Sequence, residues 1–109
     1  MVAKSPNRAN AYLVKEILEA SPQKLLLKIY DYAIVNCQKG DMIKTNNAIG
    51  ELIYSLDFND DKGKDISQQL LRLYQYAQEE MRRGERDNVL SILTNLRNTW
   101  VQVFENQKN

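Results

Sequence analysis

The sequence is poor in the residues that build most catalytic and metal centres. It contains no histidine and a single cysteine, Cys37. Histidine is the commonest general base and the commonest metal ligand, so an ordinary zinc site would have too few ligands. The four glycines, Gly40, Gly50, Gly63 and Gly84, are scattered and form no phosphate-binding loop. We therefore expect no enzyme activity, no metal site and no cofactor.

The chain also lacks a strong net charge and a long apolar run. Its formal net charge is +1, which gives no general attraction to nucleic acid or to anionic membranes. No stretch is apolar enough to span a bilayer or to form the core of a signal peptide. One cysteine cannot form an internal disulfide, which suits a reducing compartment. The sequence thus predicts a cytoplasmic protein with no nucleic-acid partner and no membrane insertion.

Helical periodicity dominates what is present. Apolar residues recur at three- and four-residue steps in four segments, at about residues 21–39, 41–56, 65–83 and 87–104. Ser21-Pro22 is typical of a helix N-terminus, and Gly40 and Gly84 are typical of helix ends. The polar stretch 57–65 predicts a loop. Four amphipathic helices with short connections predict an all-α fold, an antiparallel up-down four-helix bundle.

The two ends of the chain are predicted to lie outside this bundle. We expect residues 1–20 to be a mobile segment with a short amphipathic helix, and residues 105–109 to be a frayed tail. The apolar stretch from Tyr12 to Leu18 is too short to be a stable helix alone, so we expect it to pack on the bundle. The up-down topology places the Gly40 and Gly84 turns at one end and the 57–65 loop at the other.

The helical stripes separate core residues from surface residues. The predicted core includes residues from each long stripe: Tyr30, Cys37, Ile49, Leu52, Ile66, Leu70, Tyr74 and Trp100. Tyr32 and Tyr76 each lie two residues after a core tyrosine, and therefore roughly 160° further around the helix. We expect these two tyrosines to contact either solvent or a partner.

Several stretches, taken in order, resemble the motifs of a known family. They are "SPQKLLLKIYDYAI" (residues 21–34), "SLDF" (55–58), "GKDISQQLLRLYQYA" (63–77) and "LRNTWVQV" (96–103). With Tyr12 and Ile17 ahead of them, they resemble the flagellar secretion chaperones of the FliS family. Tyr32 stands where that family usually has glycine, and Lys64 replaces the second glycine of a pair. The resemblance runs from about residue 10 to residue 103.

The chain is shorter than this family leads one to expect. About two helical turns are missing before the Gly40 turn, about two after it, and about two in all between Tyr76 and Trp100. A loss of seven residues leaves a helical stripe nearly in phase. All three losses fall at the bundle end where Gly40 and Gly84 turn the chain, so we interpret them as one trimmed end.

The resemblance implies a function in flagellar assembly. Such chaperones bind the disordered C-terminal region of flagellin in the bacterial cytoplasm, prevent its premature polymerisation and deliver it to the flagellar type III export apparatus. The implied partners are flagellin and a component of the export gate. The family's N-terminal segment, here near Tyr12 and Ile17, is implied to cover part of the binding surface until flagellin displaces it. The alternative is a small helical adaptor or regulator that uses the same fold without binding flagellin.

Eight residues are candidates for contact with a partner. They are apolar or aromatic residues of the N-terminal segment or beside the main helical stripes: Tyr12, Ile17, Leu25, Leu27, Tyr32, Leu71, Tyr76 and Ile92. A wide core face is the other interpretation of Leu25 and Leu27, and it applies equally to Leu71 and Ile92. A monomer is the preferred state of the free chain.

Overall fold

The computed structural model describes residues 21–107 of the chain, and this range contains four α-helices. They are α1 (Pro22–Gln38), α2 (Met42–Tyr54), α3 (Lys64–Arg82) and α4 (Arg86–Asn106). No strand occurs in these residues, which confirms the predicted all-α class. Helix α4 continues to Asn106, two residues beyond its predicted end. The predicted N-terminal segment lies outside the described residues.

Local sequence signals account for the helix boundaries. The Ser21 hydroxyl accepts a hydrogen bond from the Lys24 backbone N–H at 3.2 Å, and Pro22 occupies the first turn of α1. The Asp41 carboxylate caps α2 through the Lys44 backbone N–H at 3.0 Å. These caps satisfy backbone donors that have no partner within their own helix.

Two glycines make the tight turns that let helices follow one another closely. Gly40 and Gly84 have φ angles of +75° and +82°, a region that residues with a Cβ rarely adopt. The Arg86 guanidinium donates to the Gln38 carbonyl at 3.3 Å. This bond joins the start of α4 to the end of α1, so the Gly40 and Gly84 turns lie at one end of the bundle, as predicted.

The helices pack in a ring in which each runs antiparallel to its neighbours. Helix α1 packs against α2 and α4, and α3 packs against the same two helices. At the loop end, the Gln23 side-chain amide donates to Gln107 at 2.9 Å, which joins the start of α1 to the end of α4. Asn46 and Gln78 tie α2 to α3 by bonding each other's backbone carbonyls, both at 3.1 Å.

A hydrogen-bonded aromatic cluster lies at the centre of the core. The hydroxyls of Tyr30 and Tyr74 are 2.6 Å apart and join α1 to α3 across the diagonal of the bundle. The Trp100 indole N–H donates to the Tyr30 hydroxyl at 3.1 Å. Burial raises the pKa of Tyr30 far above its usual range, and the neighbouring Tyr74 hydroxyl adds to the shift. Burial likewise raises the pKa of Tyr74.

All of the core residues named from the sequence, with the exception of Ile66, are buried or half-buried. Tyr30, Tyr74 and Cys37 are buried, and Trp100 is half-buried against them. Ile66 was predicted to begin the α3 stripe, but it is 57% exposed, so that prediction is wrong. It lies in the first turn of α3, beside the 57–63 loop, and the core residues of α3 begin one turn later.

Alkaline pH should destabilise the protein through its buried tyrosines. In the unfolded chain both would ionise near pH 10, whereas the folded state keeps them neutral. Their contribution is complete below about pH 10 and is lost above it, with a slope of at most about 1.4 kcal/mol per pH unit for each tyrosine. Urea unfolding between about pH 9 and pH 11 measures this slope.

The matched variants isolate the effect of these two hydroxyls from that of other titrating groups. Substituting both tyrosines, Tyr30→Phe with Tyr74→Phe, should flatten the alkaline slope. Tyr54→Phe, at a position that is 85% exposed, is the matched control. Equal slopes in the wild type and the double variant would show that the pair is not protected from ionisation.

Candidate partner-binding surface

An apolar groove runs between α1 and α2. It encloses about 430 Å³, and its walls carry mainly apolar side chains with a few polar ones at the rim: Leu25, Lys28, Ile29, Tyr32, Asn47, Ala48 and Glu51. Leu25 is 41% exposed and Tyr32 is 50% exposed. The structure therefore brings two of the candidate residues, Leu25 and Tyr32, into one concave surface. A smaller recess lined by Pro22, Leu26 and Ser55 extends this groove toward the loop end.

A second apolar groove lies on the other side of α1, against α4. It encloses about 360 Å³ and is lined by Leu27, Val101 and Phe104, with Ser21 and Glu105 at its edge. Leu27, another candidate residue, supplies its α1 wall. Helix α1 thus presents leucines to two grooves at once, because Leu25 and Leu27 lie on opposite flanks of its core stripe.

An ion pair crosses between α1 and α4 beyond this second groove. Arg97 lies one turn before Val101 on α4, and its guanidinium binds the Asp31 carboxylate of α1. Both side chains are partly exposed, so the pair adds little to stability. It marks the place where the apolar surface of the α1–α4 groove gives way to a charged one.

A third concavity opens at the loop end of the bundle. It encloses about 510 Å³ and reaches down to Tyr74 and Trp100 of the core, with Asp57 and Asp60 among its polar lining residues. The Ser67 hydroxyl donates to the Asp57 carbonyl at 2.7 Å and fixes the loop against α3. Ile66 also lines this cavity and is not among the residues that pack on the core cluster.

The remaining candidates lie on the far side of the bundle. Tyr76 is half exposed, and its hydroxyl accepts a hydrogen bond from the Asn88 side-chain amide at 3.1 Å and donates to the Glu80 carboxylate at 3.2 Å. Asn88 also donates to Glu80 at 2.9 Å. These three side chains therefore join α3 to α4 near the Gly84 turn, so Tyr76 has a structural contact as well as an exposed ring.

Leu71 and Ile92 are half-buried, and neither lies in the grooves beside α1. Ile92 packs against the core cluster. Tyr12 and Ile17 lie outside the described residues. The eight candidates therefore do not form one site: Leu25 and Tyr32 share a groove, Leu27 faces another, and Leu71, Tyr76 and Ile92 lie on α3 and α4.

Sequence reasoning missed two residues of the α1–α4 groove. Val101 and Phe104 form its α4 wall, and the Phe104 ring stacks on Trp100 with centroids 5.6 Å apart. The signal was present, since Phe104 lies one helical turn after Trp100 and so on the same face.

Residues 21–107 contain no group of three or more side chains suited to hold a metal ion. None of the helices in this range is long and apolar enough to cross a membrane. The concavities between the helices and at the loop end are lined mainly by apolar side chains. Together, the fold and these surfaces define a small four-helix-bundle protein with apolar grooves between its helices.

The sequence of this chain matches a known protein family. The family model described as "Flagellar protein FliS" matches residues 38–107, and the chain belongs to this family of flagellar chaperones. The matched range begins after the "YDYAI" stretch of α1 and contains the three later motifs. No curated protein and no solved structure gives a significant match.

The groove walls should contribute far less to stability than the core. Leu93 is completely buried, so Leu93→Ala should cost about 2–5 kcal/mol of unfolding free energy through lost burial and a cavity. Leu25→Ala removes a partly exposed side chain and should cost less than about 1 kcal/mol. Urea denaturation measures both. A similar cost at the two positions would mean that Leu25 is a core residue and not a groove wall.

Proposed function

We propose that this protein binds the disordered C-terminal region of flagellin in the cytoplasm, prevents its premature polymerisation and delivers it to the flagellar type III export apparatus. The observation that carries the proposal is the pair of apolar grooves beside α1, one walled by Leu25 and Tyr32 and the other by Leu27 and Phe104. Membership of the FliS family supports it. The action proposed is binding, and no residue is assigned a catalytic role.

The geometry of the grooves suits a segment that folds as it binds. Leu25, Ile29 and Tyr32 lie at steps of four and three residues along α1, so they form one continuous edge that an amphipathic helix can pack against. A disordered segment loses conformational entropy when it becomes ordered, and burial of its apolar side chains must offset that loss. Two grooves on either side of one helix provide more apolar surface than either could alone.

A long flagellin segment would extend beyond α1. Leu71, Tyr76 and Ile92 lie on α3 and α4, so they would contact flagellin only if it wraps around the bundle. The proposal therefore assigns primary contact to the α1 grooves and secondary contact to this second surface. Flagellin held in this way has its polymerising segment covered, which explains how one binding event would both block assembly and keep the cargo available for the export gate.

Binding of a flagellin C-terminal segment, measured by isothermal titration calorimetry, tests the proposal. The expected result is a one-to-one complex whose dissociation constant rises about tenfold or more in Leu25→Ala and in Tyr32→Ala. Phe58→Ala is the control, because Phe58 is a partly exposed aromatic residue that lines neither groove. A folded protein that gives no binding heat would contradict the proposal and favour a helical adaptor with another partner.

The N-terminal segment should compete with flagellin. Ser21, where the described residues begin, lies at the edge of the α1–α4 groove. We propose that Tyr12 and Ile17 cover part of this surface in the free protein. Removing residues 1–18 should then lower the dissociation constant for flagellin by about 3–10-fold, because no competing contact has to be displaced.

The same calorimetric titration measures this effect, and the double substitution Tyr12→Ala with Ile17→Ala serves as a full-length comparison. It should reproduce most of the gain, since it removes the apolar side chains but keeps the chain length. Equal affinity in all three proteins would show that the N-terminal segment does not compete with flagellin.

A further inference from the structure

The outer face of α2 carries large apolar side chains that no part of the bundle covers. Ile43 is 65% exposed and Tyr54 is 85% exposed. They are eleven positions apart, which is about three helical turns, so they lie within about 20° of each other around the helix. The buried residues Thr45 and Leu52 lie on the opposite face. We call Ile43, Asn47, Gly50 and Tyr54, which share the exposed face, the outer stripe.

Gly50 lies inside the continuous helix α2, where no contact of the described residues requires a glycine. A glycine inside a helix weakens it relative to alanine. A Cβ on Gly50 would meet only the Gln78 side-chain amide, at 3.9 Å, which is an ordinary contact. Its φ angle is not in the region that requires glycine. A small residue here is useful, however, if another backbone packs closely on the outer stripe.

The outer stripe has the spacing of a helix-pairing seam and is symmetric about its centre. Its members follow one another at steps of four, three and four residues, the pattern that lets one helix pack along another. Ile43 and Tyr54 are equally far from the midpoint, and so are Asn47 and Gly50. In an antiparallel pair of α2 helices, Ile43 of each copy would therefore lie against Tyr54 of the other, and Asn47 of each against Gly50 of the other. A twofold axis relates the two sets of contacts.

The flanks of the outer stripe fit the same arrangement. Lys44 and Glu51 lie on one flank of the outer stripe. In an antiparallel pair, Lys44 of one copy and Glu51 of the other are offset along the helix axis by only about two residues, so opposite charges come close together. Met42, which is 40% exposed, and the half-buried Ile53 lie on the other flank at matching levels. In the antiparallel pair, the charged flank therefore meets the charged flank of the second copy, and the apolar flank meets the apolar flank of the second copy.

We propose that the outer stripe of α2 is a self-association surface, on which a second copy of this chain packs as an antiparallel, twofold-symmetric pair. The inference goes beyond flagellin binding: the surface shares Asn47 and Glu51 with the edge of the α1–α2 groove, and its test uses the protein without flagellin. A single pair of helices buries less area than a standard interface, so the dimer is weak, with a dissociation constant on the order of 100 µM.

Sedimentation equilibrium of the full-length protein, from about 10 µM to about 1 mM, tests the proposal. The wild type should pass from monomer to dimer across this range, and Ile43→Lys should raise the dissociation constant about tenfold or more. Gly50→Ala should raise it about threefold or more, while increasing the melting temperature of dilute protein by a few degrees, about 2–5 °C. A role of Gly50 in the monomer fold alone would lower the melting temperature.

A charge exchange identifies the arrangement of the two copies. Lys44→Glu and Glu51→Lys should each weaken the dimer about threefold or more, and the variant carrying both should return to within about twofold of the wild type. The two residues are seven positions apart and cannot pair within one helix, so recovery requires contact between copies. A wild type that stays monomeric to about 1 mM, or a dimer unaffected by these substitutions, would overturn the proposal.

Discussion

Three aromatic side chains from three helices meet through two hydrogen bonds at the centre of the bundle, and the rest of the architecture depends on them. Tyr30 of α1 bonds Tyr74 of α3 across the diagonal, and Trp100 of α4 donates to Tyr30. Buried polar groups are stable only when they are paired, so these bonds specify how the helices rotate about their axes. With Tyr30 turned inward, Leu25 and Leu27 must flank the core stripe, and the two grooves beside α1 follow.

Helix α1 therefore has more apolar surface than the core can cover. Its consecutive leucines, Leu25, Leu26 and Leu27, point to three different sides of the helix. Leu26 packs on the core cluster, whereas its two neighbours line grooves. For an ordinary soluble bundle this would be an unneeded exposure of apolar area. Under the proposed function, which is binding of a disordered chain, the same exposure would be the binding surface.

The sequence predicted the helices and their inward faces, because the 3.6-residue period and the capping residues depend only on local order. The period alone separates Tyr30 from Tyr32, one buried and one half exposed. It could not show that Tyr30 would meet Tyr74, since that contact depends on how distant helices pack. Nor could it show that Ile66 would face an end cavity, or that Phe104 would wall a groove, because both lie at helix ends where local patterns are weakest.

The central claim, that the partner binds along both flanks of α1, is tested most directly by mapping the contacts in solution. Methyl and backbone NMR shifts can be followed while a flagellin C-terminal segment is added to the labelled protein. The account predicts that the largest changes fall on Leu25, Leu27, Tyr32 and Phe104, with smaller ones on α3. Changes restricted to α3 and to the outer face of α2, with α1 unaffected, would contradict it.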